Sequence, residues 1–240
     1  RVRAMKILAM DSTATAASVA LMEDGCLLGE FYMNVKLTHS QTLLPMAEQL
    51  LACTQVALQD IGLFAVSAGP GSFTGVRIGV SAVKGLALAQ SKPCVGVSTL
   101  EAMAYNAGQL DGIACCLMDA RCGQVYGALF EVGGGRVTRL TEDAALPAEE
   151  MACLCRKQKK QIFLVGDGAQ MCYNKTEFKA FTPFLLEEPL RQQHASGVAK
   201  AAAAAFARGQ AVTAAELLPL YLRLPQAERE LRHRQTGEKG

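Results

Sequence analysis

The sequence holds no pair of histidines at helical spacing. His39, His194 and His233 stand alone, with no HxxH, HxxxH or HExxH, which excludes a two-histidine metal site on a helix. None of its cysteines forms a CxxC pair, so a zinc ribbon and a thioredoxin-type centre are excluded. No apolar run approaches the ~18 to 20 residues that a membrane span needs. Neither sign of charge dominates: 24 Lys and Arg face 22 Asp and Glu, a formal net charge of +2. No basic excess marks an autonomous nucleic-acid binder. A nucleophile elbow of the Gly-x-Ser-x-Gly type is also missing.

What is present suits a globular chain. Half of the 240 residues are hydrophobic and 19% are charged, ample for a buried core in one large domain or two small ones. Most of the nine cysteines sit in apolar runs such as residues 113–118, where a free thiol acts as a small hydrophobe. An odd count without a secretion signal predicts reduced thiols and a cytoplasmic setting. Met5-Lys6 reads as the natural start, with Arg1 to Ala4 as an added remnant.

Residues 6–10, 18–22 and 26–33 read as three strands, the last two flanking the hairpin signal Asp24-Gly25. Residues 38–54 repeat their apolar positions at helical spacing, with Pro45 expected in the first turn. A short strand at 64–67 leads through Gly69-Pro70-Gly71 to Ser72, an N-cap for a helix running to about Gln90. Residues 94–97 form another strand, and Ser98 with Glu101 makes a capping box for a helix to about Asn106. The second half begins again with strands at 112–118, 124–132 and 136–140, a helix at 147–160 and a strand at 162–165. An Ala-rich helix at 196–208, an apolar segment at 217–224 and a polar tail at 226–240 follow. The repeated element order predicts two similar lobes of mixed α/β sheet with flanking helices, joined near residues 105–111.

The segment from Gly69 to Gly85 is the most unusual. A glycine-rich turn before a helix suits a phosphate, but the spacing matches neither the P-loop nor the dinucleotide fingerprint. Gly75, Gly79 and Ala82 share one helix face. Interior glycines cost about 1 kcal/mol each relative to Ala, tolerable where another backbone comes close. That neighbour is either the chain's own core or a partner's helix. Asp11, just past the first strand, either holds a metal-bound phosphate with Ser12 and Thr13 donating, or caps its own turn. The run Arg156-Lys157-Gln158-Lys159-Lys160 reads as a solvated helix end or a weak RNA-facing patch.

Taken together, several motifs resemble those of one family. They are Ile7-Leu8-Ala9-Met10-Asp11-Ser12-Thr13, His39-Ser40-Gln41 with Leu43-Leu44-Pro45, and the stretch from Ser67 through Gly79. Asp119-Ala120-Arg121 with Val125-Tyr126, Gly166-Asp167-Gly168-Ala169, and Pro219-Leu220-Tyr221-Leu222-Arg223 complete the set. The chain resembles the TsaB (YeaZ) family, the dimerization subunit of bacterial tRNA threonylcarbamoyladenosine biosynthesis.

The resemblance implies an actin-like, ASKHA (ribonuclease H-like) two-lobed fold. The lobes would be residues 5–108 and 109–225, with the last helices returning to the first lobe. It also implies an accessory subunit, not an enzyme, that binds and activates a TsaD-type catalytic subunit beside a TsaE-type ATPase. Such a subunit forms a homodimer when alone and meets tRNA through the complex. The two N-lobe helices would form the interface, through His39, Leu43, Met46, Leu50, Phe73, Gly75, Val76, Gly79, Ala82, Val83 and Leu86. No cofactor is expected for this subunit, ATP being used by the complex. A reduced nucleotide cleft would retain Asp11, Ser12, Gly166 and Gly168. The competing reading is an ATP-dependent phosphotransferase on the same fold, kept open by Asp11 and the Gly166 loop. A protease has no nucleophile and base to support it.

Overall fold

The computed structural model describes residues 4–121 and 123–223; the tail expected at 226–240 lies outside the described residues. The chain opens with β1 (Lys6–Asp11), β2 (Ala17–Glu23) and β3 (Cys26–Met33), paired antiparallel. At the turn between β2 and β3, Asp24 and Gly25 both have positive φ, 47° and 85°, as a tight Asp-Gly hairpin requires. Next come α1 (His39–Thr54), β4 (Leu63–Gly69), α2 (Phe73–Gln90), β5 (Cys94–Ser98) and α3 (Thr99–Ala104). The Ser72 hydroxyl accepts from the Gly75 N–H and that of Ser98 from the Glu101 N–H, satisfying helix donors that have no partner within the helix. Glu101 spends its own carboxylate on Arg139, at 3.3 Å. Pro45 lies inside α1 rather than in its first turn. Both Pro45 and Gln41, whose carbonyl it leaves without its helical partner, lie on the exposed side of the helix.

The second half repeats the plan with β6 (Gly112–Asp119), β7 (Gln124–Gly133) and β8 (Arg136–Arg139). It adds β9 (Ala144–Pro147), which pairs with β7 and which the sequence pattern did not reveal. Then follow α4 (Ala148–Arg156), β10 (Ile162–Val165), α5 (Ala169–Tyr173), α6 (Thr176–Lys179), β11 (Phe184–Leu185), α7 (Glu188–Arg191) and α8 (Ala195–Ala207). The basic run expected to extend α4 to residue 160 lies mostly beyond its end, and Lys160 pairs with Asp111 and Glu131.

The first sheet has the order β3-β2-β1-β4-β5. The second, read from its β8 edge, is β8-β7-β6-β10-β11. Both therefore consist of a meander whose first strand pairs in parallel with the strand after the next helix. This duplicated order is the two-lobed actin-like (ASKHA, ribonuclease H-like) architecture. On one face of the first sheet, α1 and α2 cover Leu8, Met10, Val19, Phe64 and Val66. On the other, α8 covers Ile7, Ala9, Ala20, Met22, Leu63 and Ala65, although α8 follows the second sheet in sequence. Its run of alanines lets it lie close to the strands. The eight described cysteines are free thiols, and Cys94, Cys115, Cys116, Cys155 and Cys172 are buried.

The position of α2 is set by a glycine. A methyl group on Gly75 would collide with the carbonyl oxygen of Ser12, and one on Gly79 would stand 2.7 Å from the Ser12 hydroxyl oxygen. The hydroxyl of Ser12 donates to the Gly75 carbonyl at 2.9 Å. Gly85 of the same helix is exposed and a methyl there meets nothing. The two positions should respond in opposite directions. Gly75→Ala is expected to destabilise by about 1–3 kcal/mol through overpacking. Gly85→Ala is expected to stabilise by about 0.5–1 kcal/mol through helix propensity. Urea unfolding of both variants checks this.

Candidate functional site

A cleft of about 500 Å³ opens between the loops at the ends of the two sheets. From the first half it is lined by Thr13, Ala14, Thr15 and the start of α2, including Ser72, Phe73 and Thr74. From the second half come Met118, Asp119, Ala120, Arg121, Tyr126 and Asp167, and residues 220–223 close one wall. That wall is a strap joining the two halves. The Leu220 N–H donates to the Ala68 carbonyl at 2.7 Å. The ring of Tyr221 stacks on Phe73 with centroids 4.7 Å apart, and its hydroxyl accepts from Arg77 Nε at 2.9 Å. Arg223 reaches across to the Ala120 carbonyl at 3.0 Å. The guanidinium of Arg77 also lies 3.9 Å from the centroid of the Phe73 ring, a cation–π contact.

The four residues expected to retain a nucleotide site do not line this cleft. Asp11 is buried, and its Oδ1 accepts from the N–H and the hydroxyl of Thr13 at 2.9 and 2.8 Å. Burial pushes the Asp11 carboxyl above its ordinary value, against the pull of the Ser67 hydroxyl, Thr13 and His39. It is a turn residue capping its own backbone. Ser12 is committed to Gly75. Gly166 has φ +105°, and side chains at Gly166 and Gly168 would run into the backbone of residues 117–119. These two glycines let the chain cross close behind β6.

Most of the expected interface residues face inward as well. Leu43, Met46, Leu50, Val76 and Val83 belong to the core between the helices and the first sheet, and Gly75 and Gly79 are buried against Ser12. The neighbour that the glycine face approaches is thus the chain's own core. Ala82 and Leu86 are half-buried at the edge of that core. Phe73 serves the strap, and His39 Nε2 lies 2.7 Å from the Ala14 carbonyl, steadying the loop at the cleft mouth. The outward faces of α1 and α2 instead carry Leu44, 46% exposed, and Leu88, 73% exposed. Residue spacing counted Leu44 among the apolar positions of α1 without separating it from the buried ones, and it passed over Leu88.

Asp167 is the cleft residue with the most displaced acidity. It is open to the cleft, but the walls around it strip away water and push its carboxyl up to about 6, against the hydrogen bond it accepts from Gln193 Nε2 at 2.9 Å. A carboxyl with a raised folded pKa binds its proton more tightly when folded, so its ionisation costs stability as pH rises from about 4 to about 6. Asp167→Asn keeps the acceptor for Gln193 and removes that cost. The variant is expected to melt about 2–4 °C higher than the parent at neutral pH, for a cost that solvent screening holds near 1 kcal/mol. The gain should vanish at about pH 4; calorimetry at the two pH values checks it.

Comparison with known proteins places this geometry. Residues 34–231 match the family model described as TsaD: tRNA N6-adenosine threonylcarbamoyltransferase. The chain is 32% identical to the tRNA threonylcarbamoyladenosine biosynthesis protein TsaB of Bacillus subtilis, over 93% of this chain and 96% of that protein. It is 43% identical to the Escherichia coli protein of the same name over 53% of this chain and 55% of that protein. The structure of YeaZ from Pseudomonas aeruginosa superposes with a TM-score of 0.77 at 31% identity, covering 91% of this chain and all of that one. A full-length match in sequence and a matching fold together establish that the chain belongs to the TsaB (YeaZ) family.

Proposed function

We propose that this chain is an accessory subunit in the formation of N6-threonylcarbamoyladenosine in tRNA, binding and activating a TsaD-type catalytic subunit rather than performing the transfer itself. The observation that carries this reading is the end-to-end match to the Bacillus subtilis TsaB protein. The first loop supports it. In a phosphotransferase, Asp11 and Ser12 would face the phosphates, whereas here both side chains are spent on internal hydrogen bonds. A subunit needs no chemistry of its own to matter, because binding preferentially to the active form of its partner shifts that partner's equilibrium.

The surface best suited to that role is the outer side of α1 and α2, with Leu44 and Leu88 exposed and Ile78, Ala82 and Leu86 half-buried between helix and solvent. This reading also includes a TsaE-type ATPase in the assembly, contact with tRNA through the complex, and a homodimer through the same face when the chain is alone.

Leu44→Glu and Leu88→Glu are expected to leave folding intact, since both side chains face solvent. Each should weaken the heterodimer with the TsaD-type subunit at least about tenfold, as a charge buried in an interface does, and reduce tRNA modification in step. Light scattering on the mixed subunits reads the first effect. Unchanged assembly in both variants overturns the interface. Asp11→Asn separates the two readings: partner activation stays near that of the parent for a turn residue, whereas phosphotransfer turnover is lost if the chain is a nucleotide enzyme.

A further inference from the structure

We propose that the segment crossing from the second sheet to α8 is fastened by a latch between His194 and Glu30, which holds only while the imidazole carries both protons, so that the joint between the two sheets loosens as pH rises. Residues 186–196 are the return path of the chain, and both halves grip them. From the second half, the Leu164 carbonyl accepts from the Leu186 N–H, the Gly166 N–H donates to the Arg191 carbonyl, and Gln193 donates to Asp167. At the junction, Asn106 Nδ2 donates to the carbonyls of Leu190 and Gln192 at 3.0 and 2.7 Å. From the first half, the Ser18 hydroxyl accepts from the Ala195 N–H at 2.8 Å, and Asn34 donates to Glu188 at 3.1 Å.

His194 stands at the end of this path, immediately before α8. Its Nε2 lies 2.7 Å from the Pro189 carbonyl and its Nδ1 lies 3.5 Å from Glu30 Oε1. Both ring nitrogens thus face acceptors. A neutral imidazole has only one N–H to give, so losing a proton sets a lone pair against either the carbonyl or the carboxylate. The same Glu30 carboxylate accepts from the N–H and the hydroxyl of Ser196 at 2.9 Å each, in the first turn of α8. One carboxylate therefore ties the edge strand β3, the histidine and the start of α8.

The surroundings favour the imidazolium. On β3, the Tyr32 ring stacks on the imidazole at 4.7 Å, and its hydroxyl is pushed up to about 12 by burial and by Glu188. Glu188 on α7, Asp11 at the end of β1 and Asp167 beyond β10 are acidic groups around the segment, and the segment itself carries Glu187 and Arg191, whose guanidinium donates to Gln170 and to the Leu186 carbonyl. Burial works against the imidazolium, and Glu30, the Pro189 carbonyl and Asp11 outweigh it, so that His194 titrates above its ordinary value. Burial likewise opposes ionisation of Glu30, yet His194 and Ser196 hold its carboxyl below the ordinary value. A histidine whose folded pKa is raised contributes stability that is complete below about pH 6.5 and is lost as pH rises through the folded value.

The test is titration of the three imidazoles by NMR in the full chain, with His194→Gln assigning the resonance. Amide exchange of residues 187–196 at about pH 6 and about pH 8.5, corrected for intrinsic rates, reads the joint itself. The expected result is a His194 pKa above about 6.5 that falls in Glu30→Gln. Exchange in 187–196 should speed up at least about fivefold at the higher pH, while α2 stays unchanged. A pKa at or below about 6.5, a pKa indifferent to Glu30→Gln, or a smaller or global change in exchange overturns the latch. The parent titration and exchange need no variant to fold.

Discussion

The contact between Ser12 and Gly75 is the constraint on which the first half of the molecule depends. Because residue 75 has no side chain, α2 can settle against the loop after β1, and the Ser12 hydroxyl fixes it there. That seat turns Val76, Val80 and Val83 into the core and leaves Leu88 facing out. It also places the start of α2 at the wall of the cleft and removes Ser12 from any ligand. One close approach thus decides which helix face is core, which is surface, and what the cleft has left to offer.

Much of the architecture was legible in the sequence. The Asp24-Gly25 turn, the caps at Ser72 and Ser98, and the alternation of strands and helices in each half come from local chemistry that needs no knowledge of distant residues. β9 was missed because its residues are only half-buried and flank a proline. The helices α5, α6 and α7 are too short to display a period. Residues 217–223 are apolar without being a helix, because they bind as a strap whose partners, Ala68, Phe73 and Arg77, are far away in sequence.

The site was less legible, for a physical reason. Helical spacing shows that Leu43, Met46, Leu50, Val76 and Val83 share apolar faces, but periodicity is silent about whether a face meets its own sheet or another chain. Here the sheet covers them, and the outward surface carries Leu44, whose place in the same repeat does not tell it from its buried neighbours, and Leu88. The motif residues of the first loop mislead in the same way. Asp11 and Ser12 have the side chains of a phosphate site, yet those side chains are consumed by the turn and by the helix beside it. Asp119, Arg121 and Asp167, which do line the cleft, become neighbours only when the second sheet is complete.

The return of α8 to the first sheet has a consequence for synthesis of the chain. Ile7, Ala9, Ala20, Met22, Leu63 and Ala65 wait for a cover that comes roughly a hundred residues after β5. At translation rates of about 5–20 residues per second, that face stays bare on the nascent chain for about 5–20 s. The amino-terminal half cannot finish folding as it emerges from the ribosome, and its exposed sheet is where a chaperone would be expected to bind.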